Sequence, residues 1–286
     1  MNNTTKSIQY YRIVRIIRKV LFYALVILLC TIFLSPFIVM VTTSLKTSAD
    51  AFTIPVKVLP RKWVFTNYPA AFEQIPYMRY MRNTAVITIC CVAGQLLITP
   101  LVGYSLAKIK WGGVRIISAL LMATMMIPYT VTMVPIYRIW SKLGLTGTYA
   151  PLIIPSFFGN SFYIIMMRQF IMGIPDSLME AATIDGCWEL KKFTLIVLPL
   201  TKPALTTIGI YAFLGAWSDY LAPLIYINKP DRYTLSIGLQ SFFNLYTIDW
   251  TALMAAATIF VLPVIILFIF FQRNFVEGVA TTGLKA

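Results

Sequence analysis

The segment Glu180-Ala181-Ala182-Thr183-Ile184-Asp185-Gly186, followed nine residues later by Ile196-Val197-Leu198-Pro199, is a charged, helix-forming stretch set between long apolar runs. The charge-free gaps around it show what those runs are. No Asp, Glu, Lys or Arg stands between Lys19 and Lys46, Arg82 and Lys108, Arg115 and Arg138, Lys142 and Arg168, or Asp249 and Arg273. Each gap exceeds the roughly 20 residues that cover a hydrocarbon core. A shorter sixth apolar stretch runs from about Thr201 through Trp217 to Ala222, with Asp219 near its end. The pattern predicts an all-α integral membrane protein with six transmembrane helices.

Composition agrees. The chain of 286 residues is 59% hydrophobic and 12% charged, with a mean hydropathy of +0.78, values of the membrane class. Loop charges set the expected orientation. The segments on the side of Glu180, namely the tail before Val20, the turn Lys108–Arg115, the loop Arg168–Lys202 and the tail after Gln272, hold 14 of the 24 Lys and Arg. That bias, with an even span count, predicts both termini in the cytoplasm of a multi-pass cell-membrane protein. The net charge of +14 reads as cytoplasmic anchoring and attraction to anionic membrane lipid, not as nucleic-acid binding. No basic run interleaved with aromatics lies outside the spans.

Other classes fall away on the same grounds. The sequence holds no His, which excludes His-dependent catalysis. Cys30, Cys90, Cys91 and Cys187 have neither a disulfide framework nor metal-ligand spacing, so no metal site is expected. No G-x4-G-K-[ST] cradle occurs, so the chain is not expected to hydrolyse ATP. An intramembrane enzyme would show convergent ionisable pairs inside spans, and they are nearly absent. The N-terminal basic region, apolar run and Ala49-Asp50-Ala51 superficially resemble a cleavable signal. The run is too long and further spans follow, so a retained first helix is expected.

Along the chain, Arg12, Arg15, Arg18 and Lys19 at near-helical spacing predict a short interfacial helix over about 8–19. Spans are then expected over about Val20–Thr42 (kinked at Pro36), Asn83–Leu106, Val114–Ile136, Tyr149–Met167, Thr201–Ala222 and Trp250–Gln272. Ala252, Ala255, Ala256 and Ala257 suit close helix packing. The loop from about Thr43 to Arg82 carries Pro55, Pro60, Pro69, Pro76, Trp63 and Tyr68. Packing on the outer rim and contact with an extracellular partner both fit it. Its Lys46, Lys57, Arg61, Lys62, Arg79 and Arg82 would steer an acidic partner. One membrane domain is expected over 1–286, with a cytoplasmic loop at about 174–199 and a cytoplasmic tail at about 273–286.

Within that loop, Ser177 and Glu180 have the spacing of a capping box. Leu178, Met179, Ala181, Ala182 and Ile184 form a short helix with a small, apolar surface. Gly186 stands where a left-handed C-cap would end it, and a second helix from Trp188 to about Leu198 would stop at Pro199. Small residues allow close approach to a partner, and Glu180 offers a charge-assisted hydrogen bond. An ordinary amphipathic interfacial helix accounts for the short helix taken alone. The full pattern E-A-A-x3-G-x9-I-x-L-P goes further: it resembles the coupling-helix motif of permease subunits of binding-protein-dependent ABC importers. Ile174-Pro175-Asp176 and Ile184-Asp185-Gly186 resemble the carbohydrate branch of that family. So does Trp217-Ser218-Asp219-Tyr220-Leu221-Ala222-Pro223-Leu224, although Ser218 and Ala222 replace the usual Asn and Trp. Phe271-Gln272-Arg273, Gly278 and Thr281 to Ala286 are similar to the end of the maltose-type permease.

The resemblance implies a type I ABC importer permease fold and a carbohydrate substrate, with an oligosaccharide favoured; a permease for a non-sugar solute is the alternative. It implies four kinds of partner: a second homologous permease subunit, two copies of a cytoplasmic ATPase that carry ATP and Mg, an extracellular sugar-binding protein, and membrane lipid. It places ATPase coupling on Glu180, Ala181, Ala182, Asp185, Gly186, Leu198 and Pro199, and a further ATPase contact on Gly283, Leu284, Lys285 and Ala286. No cofactor is expected in this chain. Residue chemistry alone nominates Asn83, Gln95, Tyr104, Asn160, Trp217, Asp219 and Tyr220 as pathway candidates, because sugars want planar aromatics and amides or carboxylates. Asp219 would shape an outer gate or pair with Lys229 or Arg232.

Overall fold

The computed structural model describes residues 2–53, 57–243 and 249–283; of residues 2–13 and 273–283 only the backbone is described. Every regular element is helical. The principal helices are α1 (Asn2–Ser44), α2 (Tyr77–Lys108), α3 (Val114–Met125), α4 (Tyr129–Lys142), α5 (Ser161–Met172), α6 (Asp176–Ile184), α7 (Glu189–Lys192), α8 (Lys202–Trp217) and α9 (Trp250–Gly283). Four segments are long and apolar enough to cross a membrane: Val14–Ser44, Tyr77–Lys108, Ala150–Met172 and Trp250–Gln272. Two bent pairs bring the number to six when each counts as one span.

The bends correct two expectations. The third span is not one helix over Val114–Ile136, because α3 and α4 meet at 105°. Pro128 stands at the break with an extended backbone (φ −61°, ψ 138°) and has no N–H to continue the α3 ladder. The helix before the fifth span does not stop at Pro199. It runs on through Leu198–Leu200, and the 76° bend falls at Thr201. A third difference lies at the start of the chain. The interfacial helix and first span form one unbroken α1, since no breaker precedes Pro36 and helix-forming Arg and Lys carry the ladder through.

The chain forms two compact units, Met1–Ala71 with Asn244–Ile259, and Phe72–Phe243 with Phe260–Ala286. In the first, the segment after α1 is folded on buried polar groups. Asn67 Nδ2 donates to the carbonyls of Ser44 and Lys46 at 2.8 Å each, and Asp50 accepts the Arg61 N–H at 2.9 Å. Lys46 is only 2% exposed and donates to the Lys57 carbonyl. Its ammonium therefore takes no part in a basic outer surface, contrary to the sequence reading. Asp249 Oδ1 accepts the Ala252 N–H at 3.0 Å and so caps α9, where Ala252, Ala255 and Ala256 are buried.

In the second unit α2 is the central element, packed against α5 and α8. It buries Asn83, Thr84, Thr88, Gln95 and Thr99 among its apolar residues, as polar side chains at membrane depth require. A core of Tyr104, Met167, Ile171, Ile174, Phe193, Val197, Ala204 and Ile208 ties the Lys108 end of α2 to the segment that follows α5. Close approach is built in at Gly103: a Cβ there would come within 2.8 Å of Met167 Cγ.

Candidate functional site

Residues 174–200 form a helical knob anchored on α2. Helix α6 ends in a full Schellman motif: the Cys187 N–H bonds to the Ala182 carbonyl at 2.9 Å and the Gly186 N–H to the Thr183 carbonyl at 3.0 Å. Gly186 adopts φ +76°, the left-handed conformation its position predicts, and nothing lies within 4 Å of where a Cβ would be. The capping box does not form. Pro175 occupies the N-cap without a side-chain bond, and Asp176 in the first turn is taken by Lys108, whose Nζ lies 2.6 Å from it.

Polar contacts made by Lys108, Tyr104 and Lys192 hold the knob. Lys108 Nζ also donates to the Ile174 carbonyl at 2.6 Å. Tyr104 donates its hydroxyl to Glu189 at 2.6 Å, and Glu189 is paired in turn with Lys192. Lys192, 7% exposed, reaches back to the Thr183 hydroxyl at 3.2 Å and so joins α6 to α7. The hydrogen bond and charge of Lys108 keep the Asp176 carboxyl below the usual carboxylate range. A π-turn over Phe193–Val197 follows, with the Leu198 N–H on the Phe193 carbonyl. Pro199 lacks the N–H an α-turn would use and crowds the carbonyl of Leu195, which accounts for the widening.

Of the motif residues, Ala182 and Val197 face inward while Glu180, Ala181, Asp185, Gly186 and Pro199 are exposed; Leu198 is half-buried against the core. Around them lies an apolar outer surface: Ile184 is 87% exposed, with Trp188, Leu178 and Leu190 also exposed. Beside it opens a cleft of about 750 Å³, lined by Lys108, Lys110, Arg168, Asp176, Glu180 and Lys192 among others. This arrangement leaves a small-residue helix, held on α2 from behind, with its outer face uncovered. Sequence reasoning missed Lys108, Glu189 and Lys192, the residues that hold the knob; Glu189 and Lys192 were signalled as the charges just after Gly186, whereas Lys108 lies 68 residues from its partner Asp176.

The pathway candidates scatter. Gln95, Asn160 and Asp219 come together on one cavity of about 200 Å³, with Tyr163 and Gly215. The others do not join them. Tyr104 sits at the knob, and Asn83 Nδ2 clamps the carbonyls of Asp231 and Tyr233 at 3.0 Å each. Trp217 is buried, stacks between Phe213 and Phe260, and donates to the Phe260 carbonyl at 3.0 Å. Tyr220 stands exposed beside Asp219. Asp219 takes none of the three ion pairs among the described residues; it accepts the Ala222 N–H at 3.2 Å, while Arg232 donates to the Gly147 carbonyl. Gly283 closes α9, and Leu284, Lys285 and Ala286 lie outside the described residues.

The described residues thus combine helices of membrane-spanning length, two of them broken pairs, with a surface helix backed by α2. The chain belongs to the family of binding-protein-dependent transport system inner membrane components, whose model matches residues 100–281. It is 31% identical to the arabinooligosaccharides transport system permease protein AraQ of Bacillus subtilis, over 90% of this chain and 92% of that one. It is 32% identical to the sulfoquinovosyl glycerol transport system permease protein SmoH of Agrobacterium fabrum, over 88% and 89%. In structure it superposes with TM-score 0.80 and 25% identity on a chain of a bacterial ABC transporter involved in import of the acidic polysaccharide alginate, covering 91% of this chain and 96% of that one. The fold is thus that of a type I ABC importer permease, and the chain is a membrane transport subunit, not an enzyme.

Proposed function

We propose that this permease imports a carbohydrate, handed over by an extracellular solute-binding protein, as half of a pathway completed by a second homologous permease. Residues 174–199 dock on a cytoplasmic ATPase, two copies of which carry ATP and Mg for the complex. The observation that carries this reading is the knob: a helix with an exposed small and apolar face, fixed to α2 by the Lys108–Asp176 ion pair and the Tyr104–Glu189 hydrogen bond and to α5 by a shared core. A docking helix transmits movement only if it cannot slide on its own bundle, and Lys108, Tyr104 and Lys192 prevent that sliding. Glu180, Ala181, Asp185 and Gly186 form the contact; Ala182, Leu198 and Pro199 set its angle. The tail Gly283 to Ala286 is a second contact for the ATPase, and both termini lie in the cytoplasm, as the basic loops favour.

The carbohydrate assignment is supported by the names of the relatives, which transport arabinooligosaccharides and a sulfoquinovosyl glycerol. The test is ATP hydrolysis by the complex co-purified on this chain, in lipid, with its binding protein and a panel of mono-, di- and oligosaccharides. Stimulation by one sugar class is expected. Absence of any co-purified ATPase would remove the importer reading, and hydrolysis that no sugar stimulates would move the substrate to a non-sugar solute.

A further inference from the structure

The cavity at Gln95, Asn160 and Asp219 has a chemistry of its own. Its volume of about 200 Å³ lies below the roughly 300–1,000 Å³ of pockets for drug-sized ligands, so it admits one ring and not a chain. Two amides on it are locked in orientation. Gln95, 6% exposed, uses Oε1 to accept the Asn160 N–H at 3.1 Å and the Thr99 hydroxyl at 3.2 Å. Both of those bonds fall on the oxygen, so its NH2 end is left to donate, and Gln95 lines the cavity. Asn160 uses Oδ1 for the N–H groups of Phe162 and Tyr163, at 2.9 and 3.4 Å, which again leaves an NH2 group to donate. Asp219 supplies the acceptor, a carboxylate anchored at one oxygen by the Ala222 N–H. No Lys or Arg lines the cavity.

We infer that this cavity is a subsite for a single neutral, hydroxyl-rich ring, such as one residue of an uncharged sugar chain. A hydroxyl both donates and accepts, so fixed NH2 donors beside a fixed carboxylate match adjacent hydroxyls. A uronate or sulfonate would set its charge against Asp219 with no cation to offset it. Tyr163 and Pro223 give the ring an apolar flank, and the wall is open at Gly215, where a Cβ would meet nothing within 4 Å. The inference rests on the carbohydrate reading and adds that this subunit touches the substrate and selects for neutrality.

The test uses proteoliposomes that hold the complete importer with its binding protein, and labelled arabino-oligosaccharides, malto-oligosaccharides and alginate trisaccharide as probes. A neutral probe is expected to enter at least tenfold faster than the uronate. Asp219→Asn, nearly the same in shape, should lower that ratio about tenfold, which a merely structural role for Asp219 would not do. Gly215→Leu, whose Cβ meets nothing within 4 Å and whose side chain would take up cavity volume, should raise the KM for the neutral probe about tenfold. A wild-type preference for the uronate would overturn the inference, as would an unchanged ratio in Asp219→Asn together with an unchanged KM in Gly215→Leu. Should Gly215→Leu fail to assemble, the ratio in Asp219→Asn decides. Import of none of the probes would remove the carbohydrate reading and this inference with it, a result distinct from import that ignores both variants.

Discussion

Helix α2 carries two hollows of opposite chemistry. At its Lys108 end the cleft of about 750 Å³ is walled by opposite charges; the pair Lys108–Asp176 joins α2 to α6 across it, while Lys192–Glu189 lies within α7, whose two side chains reach Thr183 and Tyr104. Further along α2, at Gln95, the cavity of about 200 Å³ is walled by amides, hydroxyls and a single carboxylate. The charged hollow is largely occupied with itself, since Lys108, Arg168 and Lys192 are bonded to acids and carbonyls of the same chain. The neutral one keeps donors without partners. Charge pairs are suited to holding a segment under load, whereas unpaired neutral donors suit a solute that must bind and leave.

The contrast is broken most severely by the double variant Glu180→Arg with Gly186→Leu. A Leu side chain at φ +76° costs about 1–2 kcal/mol, and the charge reversal removes the proposed contact. The protein should still insert, while uptake by the reconstituted complex falls to background; full uptake would sink the coupling assignment. Next in size is Lys192→Met, which strips Thr183 and Glu189 of their shared donor and should cost about 1–3 kcal/mol. A lowered unfolding temperature of the purified complex, together with ATP hydrolysis that no longer follows uptake, is the expected pair of readings. A change in temperature alone would show that Lys192 stabilises without transmitting.

The smallest effect belongs to Asp176, whose side chain is 78% exposed. Its pKa is depressed in the folded protein, so its contribution is fully present above the ordinary carboxylate range and is lost as pH falls through the held-down value. Asp176→Asn should flatten the acid side of the stability profile and leave the neutral region nearly unchanged. An unaltered acid limb would show that the Lys108 contact adds nothing measurable, as for many exposed pairs.

Much of this was legible in the residues because membrane spans depend on composition, and composition is local. The charge-free gaps found the four long spans to within about six residues at their ends, and Gly186 announced its own cap; the interruption of the span Ala150–Met172 at Gly159, with φ +86°, went unread. The bend at Pro128 was not legible. Several spans contain proline, and whether a given one breaks a helix depends on what packs beside it; Pro100 and Pro263 sit inside unbroken helices. The capping box failed for a related reason. Ser177 and Glu180 had the right spacing, but the helix starts at Asp176, which answers to Lys108, 68 residues away. Residue type nominated the polar candidates, of which Asn83, Gln95, Tyr104 and Trp217 are buried while Asn160 and Tyr220 are exposed. It could not sort Tyr104 and Asn83 from Gln95 and Asn160, since that sorting depends on which distant backbone groups need a partner.

The π-turn at Phe193–Val197 changes what the motif's spacing measures. A wide turn takes in one residue more than an α-turn without advancing the helix correspondingly. The nine residues between Gly186 and Ile196 are therefore a count along the chain and not a ruler through space. A version of this protein one residue shorter there could close an ordinary turn and keep both ends where they are. The segment tolerates a change of length at that one turn, whereas a deletion within α6 would rotate every later side chain by about 100°.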